Sequence, residues 1–257
     1  MKIFAFDLDK TTLDSKGNLS MQNAKVLDNM VSNGIILIPA TGRNIQGIPK
    51  EILQKNIRYV IVSNGAIVFD LFERKEVWQR KLSKQELDEL IHKLKNHRLL
   101  FTIHANGKCF DSNIIQVAIR KMFFRNTSIL FSNFKDLTRF EKIDKIQLTF
   151  ISNSQLSRIY KLISSIDSIH VVKSSKHSLE ITNKEATKGN ALQFVSTYLN
   201  INRDEIVSIG DNDNDIEMML FSGISYAVSN STKNVKKIAD YIVSSNDDNP
   251  LEDILLD

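Results

Sequence analysis

The chain has 257 residues, of which 42% are hydrophobic and 25% charged, so it is long enough for one large or two modest globular domains. Its net charge of +4 is slight and its basic residues are scattered among acidic ones, which argues against a nucleic-acid-binding face. Cys109 is the sole cysteine, which excludes an intrachain disulfide and suits a reducing compartment.

Hydropathy gives no indication of a membrane protein. No stretch reaches the ~18 consecutive apolar residues that can span a bilayer. The first apolar run is interrupted by Asp7 and lacks a small-residue cleavage site, so we expect no signal peptide. We therefore expect a cytoplasmic protein that binds neither membrane nor nucleic acid.

The first 80 residues alternate short apolar runs with helical patterns. Apolar runs at 3–6, 35–38 and 59–62 are typical of buried parallel strands. Ser20 can cap a helix after the first run, and Gly34 can end it. Strand, helix, strand, helix, strand at this spacing predicts a doubly wound parallel sheet, followed by an antiparallel hairpin within residues 66–80.

The pattern changes near residue 83, where helices begin to alternate with strands that have one open face. Asn106-Gly107 predicts a tight hairpin, because both turn positions favour a positive φ. This is an α+β pattern with antiparallel pairs. The predicted helices lie at 87–94, 114–124 and 156–163, and the predicted strands at 101–105, 108–110, 146–150, 170–172 and 179–181.

The α/β pattern returns at Thr187 and continues to a predicted terminal helix. It includes an apolar strand at 206–210. The fold we predict is an α/β, Rossmann-like doubly wound parallel sheet that forms a discontinuous core from residues 1–82 and 186–257. An α+β domain of residues 83–185 is inserted into it.

Two aspartates, Asp7 and Asp9, follow the first predicted strand directly. The carboxyl end of such a strand borders the crevice where open α/β sheets bind ligands. There Asp7 can attack phosphorus as a nucleophile, and Asp9 can protonate the leaving oxygen and then deprotonate a water. The alternative interpretation is that both side chains only cap the following turn.

A second acidic cluster, Asp211 to Asp215, follows the strand predicted at 206–210. Asp211 is the best candidate metal ligand because it comes first after the strand, and Asn214 and Asp215 can orient it. All-oxygen ligands favour Mg²⁺. A calcium-sensor loop is excluded, because Ile216 and Ser222 stand where that loop requires Gly and Glu.

Three further residues suit the binding of a phosphate. The Thr41 hydroxyl, with neighbouring backbone N–H groups, can contact a phosphate oxygen, and the Lys188 ammonium can stabilise charge on the phosphoryl group. Asn64 beside Gly65 can contact the substrate. Each has an ordinary alternative: Thr41 as a helix cap, Lys188 as a solvated lysine, and Asn64-Gly65 as a plain turn.

In this order the residues resemble the four motifs of the haloacid dehalogenase superfamily of phosphohydrolases, in particular its Cof-type (class IIB) sugar-phosphatase branch. The similarity covers essentially the whole chain. The segments that carry it are Asp7-Leu8-Asp9-Lys10-Thr11, Ala40-Thr41-Gly42-Arg43, Ser63-Asn64-Gly65-Ala66, Thr187-Lys188-Gly189 and Gly210-Asp211-Asn212-Asp213-Asn214-Asp215. Lys10 departs from the first motif, which usually has Gly there.

The resemblance implies a role for each matching residue. Asp7 would be the nucleophile and Asp9 the general acid and base, and the metal ligands would be Asp7, the Asp9 carbonyl and Asp211. Residues 83–185 would be the cap domain. The substrate contacts implied are Thr41, Gly42, Arg43, Asn64 and Lys188.

The function we expect is a Mg²⁺-dependent phosphatase that hydrolyses phosphomonoesters of small metabolites, sugar phosphates above all, through an aspartyl-phosphate. We expect it to act as a monomer or a weak homodimer. Two alternatives stay open. One is a phosphomutase of the same superfamily, and the other is a non-catalytic regulatory protein that binds a phosphorylated ligand.

Overall fold

The computed structural model describes residues 1–124, 128–131 and 133–254. Its strands are β1 Ile3–Phe6, β2 Ile36–Pro39, β3 Tyr59–Val62, β4 Ile67–Asp70, β5 Lys75–Gln79, β6 Leu82–Ser83, β7 Leu100–Ala105, β8 Lys108–Asp111, β9 Ser128–Leu130, β10 Lys142–Ile143, β11 Lys145–Thr149, β12 Ile169–Ser175, β13 Ser178–Asn183, β14 Ile206–Gly210, β15 Ile224–Val228 and β16 Tyr241–Val243. Its α-helices are α1 Met21–Ser32, α2 Lys50–Leu53, α3 Lys84–Leu94, α4 Ile114–Phe124, α5 Asn153–Ile163, α6 Lys188–Leu199, α7 Ile216–Phe221 and α8 Lys233–Ile238.

The chain divides into two compact units. The first consists of Met1–Gln79 together with Thr187–Asp257, and the second is Arg80–Ala186. The assignment of these units as a catalytic core and a cap stays a prediction.

The first unit contains a five-stranded sheet in the order β16-β15-β14-β1-β2, in which every pair of neighbours is parallel. Its central strands β1 and β14 are buried along their whole length, which explains why they are apolar runs without alternation. Ile3 and Ala5 of β1 pack with Leu192 of α6 and Met218 of α7 in one apolar cluster. The predicted α/β fold class is confirmed.

The third predicted strand, β3, differs from its expected place in the parallel sheet. It forms an antiparallel ladder with β4 and meets β2 only through a single parallel bridge between Ala40 and Ile61. Pro39 explains the difference. The N–H groups of Ile36 and Ala40 point to β1 and that of Thr41 to β3, so Pro39 occupies a position that should donate to β3 and has no N–H.

The second unit is built on a six-stranded sheet in the order β12-β13-β11-β7-β8-β9. The predicted hairpin between β7 and β8 is confirmed, with φ of 53° at Asn106 and 70° at Gly107. One face of this sheet is apolar: Ile103 and Ile146 lie in a cluster with Leu90 of α3 and Ile159 of α5.

The predicted terminal helix is not present in the described part of the chain. A single 3-10 turn spans Pro250–Asp253, and residues 255–257 lie outside the described residues. Among the helices that are described, none is long and apolar enough to cross a bilayer.

Candidate active site

Three of the predicted site residues meet because their strands are neighbours. β14, β1 and β2 run parallel and adjacent, so their carboxyl ends share one edge of the sheet. Asp211 and Asp7 follow their strands directly, and Thr41 follows β2 after Ala40. A hydrogen bond from the Asp7 N–H to the Ile209 carbonyl, 3.1 Å long, continues the β1–β14 ladder up to the first aspartate.

The carboxylates of this edge form one cluster with a buried lysine. One oxygen each from Asp7, Asp211 and Asp215 lies within 4.8 Å of the others. Lys188, at the first turn of α6, has no exposed surface and donates to Asp7 Oδ1 at 2.5 Å and to Asp215 Oδ1 at 2.6 Å. The two aspartates that flank the chain's long insertion in sequence, Asp7 and Asp211, therefore share one site.

Both carboxylate oxygens of Asp215 accept hydrogen bonds within this cluster. Its Oδ1 accepts from Lys188, and its Oδ2 accepts the backbone N–H groups of Asp211 and Asn212 at 3.0 and 3.1 Å. Gly210 is required for this packing, because a Cβ there would lie 2.5 Å from the Asp215 Cβ. Asp215 thus binds both Lys188 and the loop that carries Asp211, and its role in orienting a metal ligand stays a prediction.

The site carries an excess of negative charge. Burial raises the pKa of the Asp7 carboxyl well above its usual range; the Lys188 ammonium opposes this, and the carboxylates of Asp215 and Asp211 reinforce it. Burial, reinforced by Asp215, likewise raises the pKa of Asp211 to about 6, while Lys188 and Thr11 act in the opposite direction. One ammonium does not neutralise three carboxylates, of which Asp7 and Asp215 are buried and Asp211 is partly buried.

Asp9 and Arg43 form an ion pair that the sequence did not predict. The guanidinium donates from Nε to Asp9 Oδ2 at 2.8 Å and from Nη2 to Oδ1 at 2.6 Å, while Nη1 donates to the Gly47 carbonyl at 2.7 Å. Although burial works against it, the hydrogen bonds to Asp9 raise the pKa of Arg43 above its ordinary value. Arg43, predicted as a substrate contact, binds a predicted catalytic residue in this structure, and its contact with a substrate stays a prediction.

A strained loop holds Thr41 and Asn64 together. Ser63, Asn64 and Gly65 have consecutive positive φ values of 52°, 58° and 93°. The Asn64 N–H donates to the Thr41 carbonyl at 3.0 Å, and Asn64 Oδ1 accepts from the Asn214 amide at 3.0 Å. Two of the predicted residues, Asn64 and Asn214, are therefore direct partners, and consecutive left-handed residues of this kind cluster at functional sites.

The segment 41–43 lies so close to this loop that a side chain at position 42 would not fit. A Cβ on Gly42 would lie 2.8 Å from Asn64 Oδ1. Thr41 is fully buried, and its hydroxyl oxygen accepts the Arg43 N–H at 3.1 Å. The contacts of Thr41 and Gly42 with a substrate stay predictions.

Sequence reasoning assigned no role to two buried threonines beside the first aspartates. Thr11 donates to Asp211 Oδ1 at 3.3 Å and Thr12 donates to the Asp7 carbonyl at 2.7 Å. Thr11 links the two acidic segments, which are 200 positions apart in the sequence. Its place within the first motif is the signal that could have identified it.

The donor set fits a hard divalent cation. Asp7 and Asp211 supply carboxylate oxygens on neighbouring strand ends, and the described cluster contains neither sulfur nor imidazole. Oxygen ligands of this type suit Mg²⁺, Ca²⁺ or Mn²⁺ rather than a softer metal. The Asp9 carboxylate lies outside the cluster, since it binds Arg43, so only its carbonyl is a candidate ligand.

The comparison with known families agrees with this geometry. The model of the haloacid dehalogenase-like hydrolases matches residues 4–255. The chain belongs to this family. The predicted family resemblance is thereby confirmed.

Three proteins that are similar to this chain carry different names. Phosphatase YwpJ of Bacillus subtilis is 26% identical over 277 residues, which cover 96% of each protein. The structure of the subclass IIB sugar phosphatase BT4131 superposes with a TM-score of 0.85 at 20% identity, covering 98% of this chain and 97% of that one. Chloroplastic endoribonuclease YBEY of Arabidopsis thaliana is 27% identical over 265 residues, but the chain spans only 45% of its length.

Proposed function

We propose that this hydrolase is a Mg²⁺-dependent phosphatase that cleaves phosphomonoesters of small metabolites through an aspartyl-phosphate on Asp7. The observation that carries the proposal is the convergence of Asp7, Asp211 and Lys188 at one strand edge. Phosphoryl transfer needs a carboxylate nucleophile and an ammonium that stabilises charge on the phosphoryl group. It also needs a cation, and the excess of negative charge in the cluster favours the binding of one.

Asp7, the Asp9 carbonyl and Asp211 would hold the cation. When bound, it offsets the repulsion between the Asp7 carboxylate and the phosphate. This role follows from the excess of three carboxylates over one ammonium in the buried cluster.

Asp7 supports nucleophilic attack by its position. Its carboxylate oxygen attacks phosphorus, the bond from phosphorus to the ester oxygen breaks, and the alcohol leaves. Lys188 remains protonated beside it, because the carboxylates of Asp215 and Asp7 outweigh the effect of burial and raise its pKa. Lys188 thus keeps its positive charge while negative charge develops on the phosphoryl oxygens.

Asp9 would donate the proton to the leaving oxygen and then remove one from the water that hydrolyses the aspartyl-phosphate. Its side chain is 51% exposed, so it has room to turn. In this structure both of its carboxylate oxygens accept from the Arg43 guanidinium, which positions the side chain.

The substrate class is proposed from the family relatives. BT4131, named a sugar phosphatase, shares the fold over nearly the whole chain, and YwpJ is named a phosphatase. Sugar phosphates are therefore the first substrates to test. The endoribonuclease name belongs to a protein of which this chain spans less than half, and it does not lead us to propose RNA cleavage.

Asp7→Asn tests the mechanism. Phosphate release from a panel of sugar phosphates and from p-nitrophenyl phosphate is measured with Mg²⁺ and with EDTA. We expect Mg²⁺-dependent release that falls by about a thousandfold or more in the variant, because the nucleophile is lost. Asp28→Asn, an exposed aspartate on α1, is the matched control and should keep wild-type activity.

Three results would contradict the proposal. Wild-type turnover in Asp7→Asn would exclude Asp7 as nucleophile. Transfer of the phosphoryl group between sugars with little free phosphate would identify a phosphomutase, and ligand binding without any turnover would identify a regulatory protein.

A further inference from the structure

Lys10 occupies a backbone conformation that is unfavourable for lysine. Its φ is +62°, in the left-handed region that glycine and asparagine tolerate best. It is the third residue of a turn that the Thr11 N–H closes onto the Leu8 carbonyl at 3.4 Å, a position where a positive φ favours Gly or Asn. A residue with a side chain at this position therefore strains the backbone.

Neighbouring residues maintain this strained turn. The Asn230 amide donates to the Lys10 carbonyl at 2.9 Å, and Asn230 Oδ1 in turn accepts the Asn246 N–H at 3.0 Å. Backbone strain that the surroundings hold in place clusters at functional sites.

The Lys10 side chain is exposed and adjoins the acidic cluster. It lies between Asp9 and Thr11, whose hydroxyl donates to Asp211. Within residues 1–124, 128–131 and 133–254, Lys10 takes part in no ion pair.

The other two cations of the site differ from Lys10 in this respect. Lys188 is bound to Asp7 and Asp215, and Arg43 is bound to Asp9. An exposed ammonium without an ion-pair partner beside the reacting aspartate can attract an anionic group that is not the transferred phosphoryl.

We propose that Lys10 is a specificity-determining residue that favours phosphomonoesters carrying a second anionic group, a carboxylate or another phosphate, over esters of neutral alcohols. This inference rests on the proposed function and names the substrate class of the same site. The chemistry is charge complementarity between the ammonium and the second anion.

Matched ester pairs test the proposal, because each pair differs only by CH₂OH against COO⁻. The pairs are glycerol 3-phosphate with 3-phosphoglycerate, and sorbitol 6-phosphate with 6-phosphogluconate. The ratio of kcat/KM within each pair is measured for the wild type, Lys10→Met and Lys10→Arg. Lys25→Met, an exposed lysine of α1, is the control for loss of one positive charge.

We expect Lys10→Met to lower the carboxylate preference by about 2- to 5-fold in at least one pair at low salt, which is the range for an exposed charge pair. Lys10→Arg should retain the preference, Lys25→Met should leave it unchanged, and the effect should shrink as salt screens the charges. An equal change for both members of each pair would overturn the proposal, because Lys10 would then act only through the metal or Asp211.

Binding to the Asp7→Asn variant, measured by calorimetry, separates this inference from the proposed function. A carboxylate preference in binding that Lys10→Met removes would support the role of Lys10 even if no ester were hydrolysed. A binding ratio that Lys10→Met leaves unchanged in both pairs would overturn it. Lys10→Gly should also raise the urea midpoint of unfolding by relieving the backbone, and a lower midpoint would contradict the strain on which the argument rests.

Discussion

At the scale of single residues, the ion pairs of the site differ in their exposure to solvent. Lys188 is enclosed by two carboxylates, whereas the Asp9–Arg43 pair is partly exposed, with 51% and 29% of the side chains accessible. An enclosed pair is a fixed part of the site. A partly exposed pair can open, so the residues that move in turnover are expected at Asp9 and Arg43.

Arg43→Met tests whether Arg43 positions Asp9 or binds substrate. We expect kcat to fall by about 10- to 100-fold with little change in KM, because the guanidinium acts through Asp9 and misplaced groups reduce rates to this extent. Steady-state kinetics provide the measurement. The double variant with Asp9→Asn should be no slower than Asp9→Asn alone. A raised KM with unchanged kcat would show that Arg43 contacts the substrate directly.

Asp211 makes the metal-free protein sensitive to pH. Its pKa in the folded state is raised to about 6, above the ordinary aspartate value, so the folded state binds the proton more tightly than the unfolded one. The stability from this group is therefore fully present at low pH and is lost as pH rises to about 6. In urea unfolding with EDTA, the free energy of unfolding of the wild type minus that of Asp211→Asn should decrease as pH rises to about 6.

The control for that measurement is added Mg²⁺. Since a cation binds the deprotonated carboxylates, saturating Mg²⁺ should reverse the trend and make the wild type more stable as pH rises. A difference between wild type and Asp211→Asn that is independent of pH in EDTA would contradict the raised pKa.

At the scale of elements, the loop of Ser63–Gly65 depends on contact with the start of α6. A Cβ on Gly65 would lie 2.1 Å from the Thr187 carbonyl oxygen and 2.7 Å from the Lys188 N. This contact joins the loop that carries Asn64 to the helix turn that carries Lys188. The loop and the start of α6 are far apart in the sequence.

Gly65→Ala should therefore disturb both stability and activity. Gly34→Ala is a matched control, because Gly34 also has a positive φ, of 77°, but nothing lies within 4 Å of a Cβ there. We expect Gly34→Ala to cost about 1–2 kcal/mol, the strain of a left-handed alanine. Gly65→Ala should cost more and should also lower kcat. Equal losses of stability in thermal unfolding would show that the Thr187 contact is unimportant.

The elements themselves were largely predictable from local pattern. β1 and β14 are apolar runs because both faces are covered, and the Asn106-Gly107 turn follows from two positive φ values. The place of β3 was not predictable in this way. Pro39 prevents a full ladder with β2, but only the register of β2 against β1 shows which neighbour loses the hydrogen bond.

At the scale of the whole molecule, Trp78 reports on one of the two units. It is the only tryptophan of the chain, lies on β5 in the first unit and stacks on Phe194 of α6 with ring centroids 6.1 Å apart. Its fluorescence therefore follows the unit that contains Asp7 and Asp211. Far-UV circular dichroism follows helices and strands of both units.

Adding Mg²⁺ should raise the midpoint of the unfolding transition that Trp78 fluorescence reports. At a Mg²⁺ concentration of 100 times Kd, the free energy of unfolding should increase by about 2.7 kcal/mol. The cation binds the folded first unit, so a separate transition seen only by circular dichroism should not shift. Asp211→Asn should abolish the shift. An equal shift in that variant would place the metal elsewhere.

The sequence by itself determined most of the elements and the candidate residues of the site, because burial patterns, turn residues and the acidic strand ends are local properties. Asp7, Asp9, Asp211 and Lys188 were identified in this way. Only the tertiary structure decided which charges are paired: Lys188 between Asp7 and Asp215, Arg43 on Asp9, and Lys10 with no ion-pair partner among the described residues. Pairing depends on distances across the fold between residues far apart in sequence, such as Asp7 and Lys188 at 181 positions, and no local pattern encodes those distances.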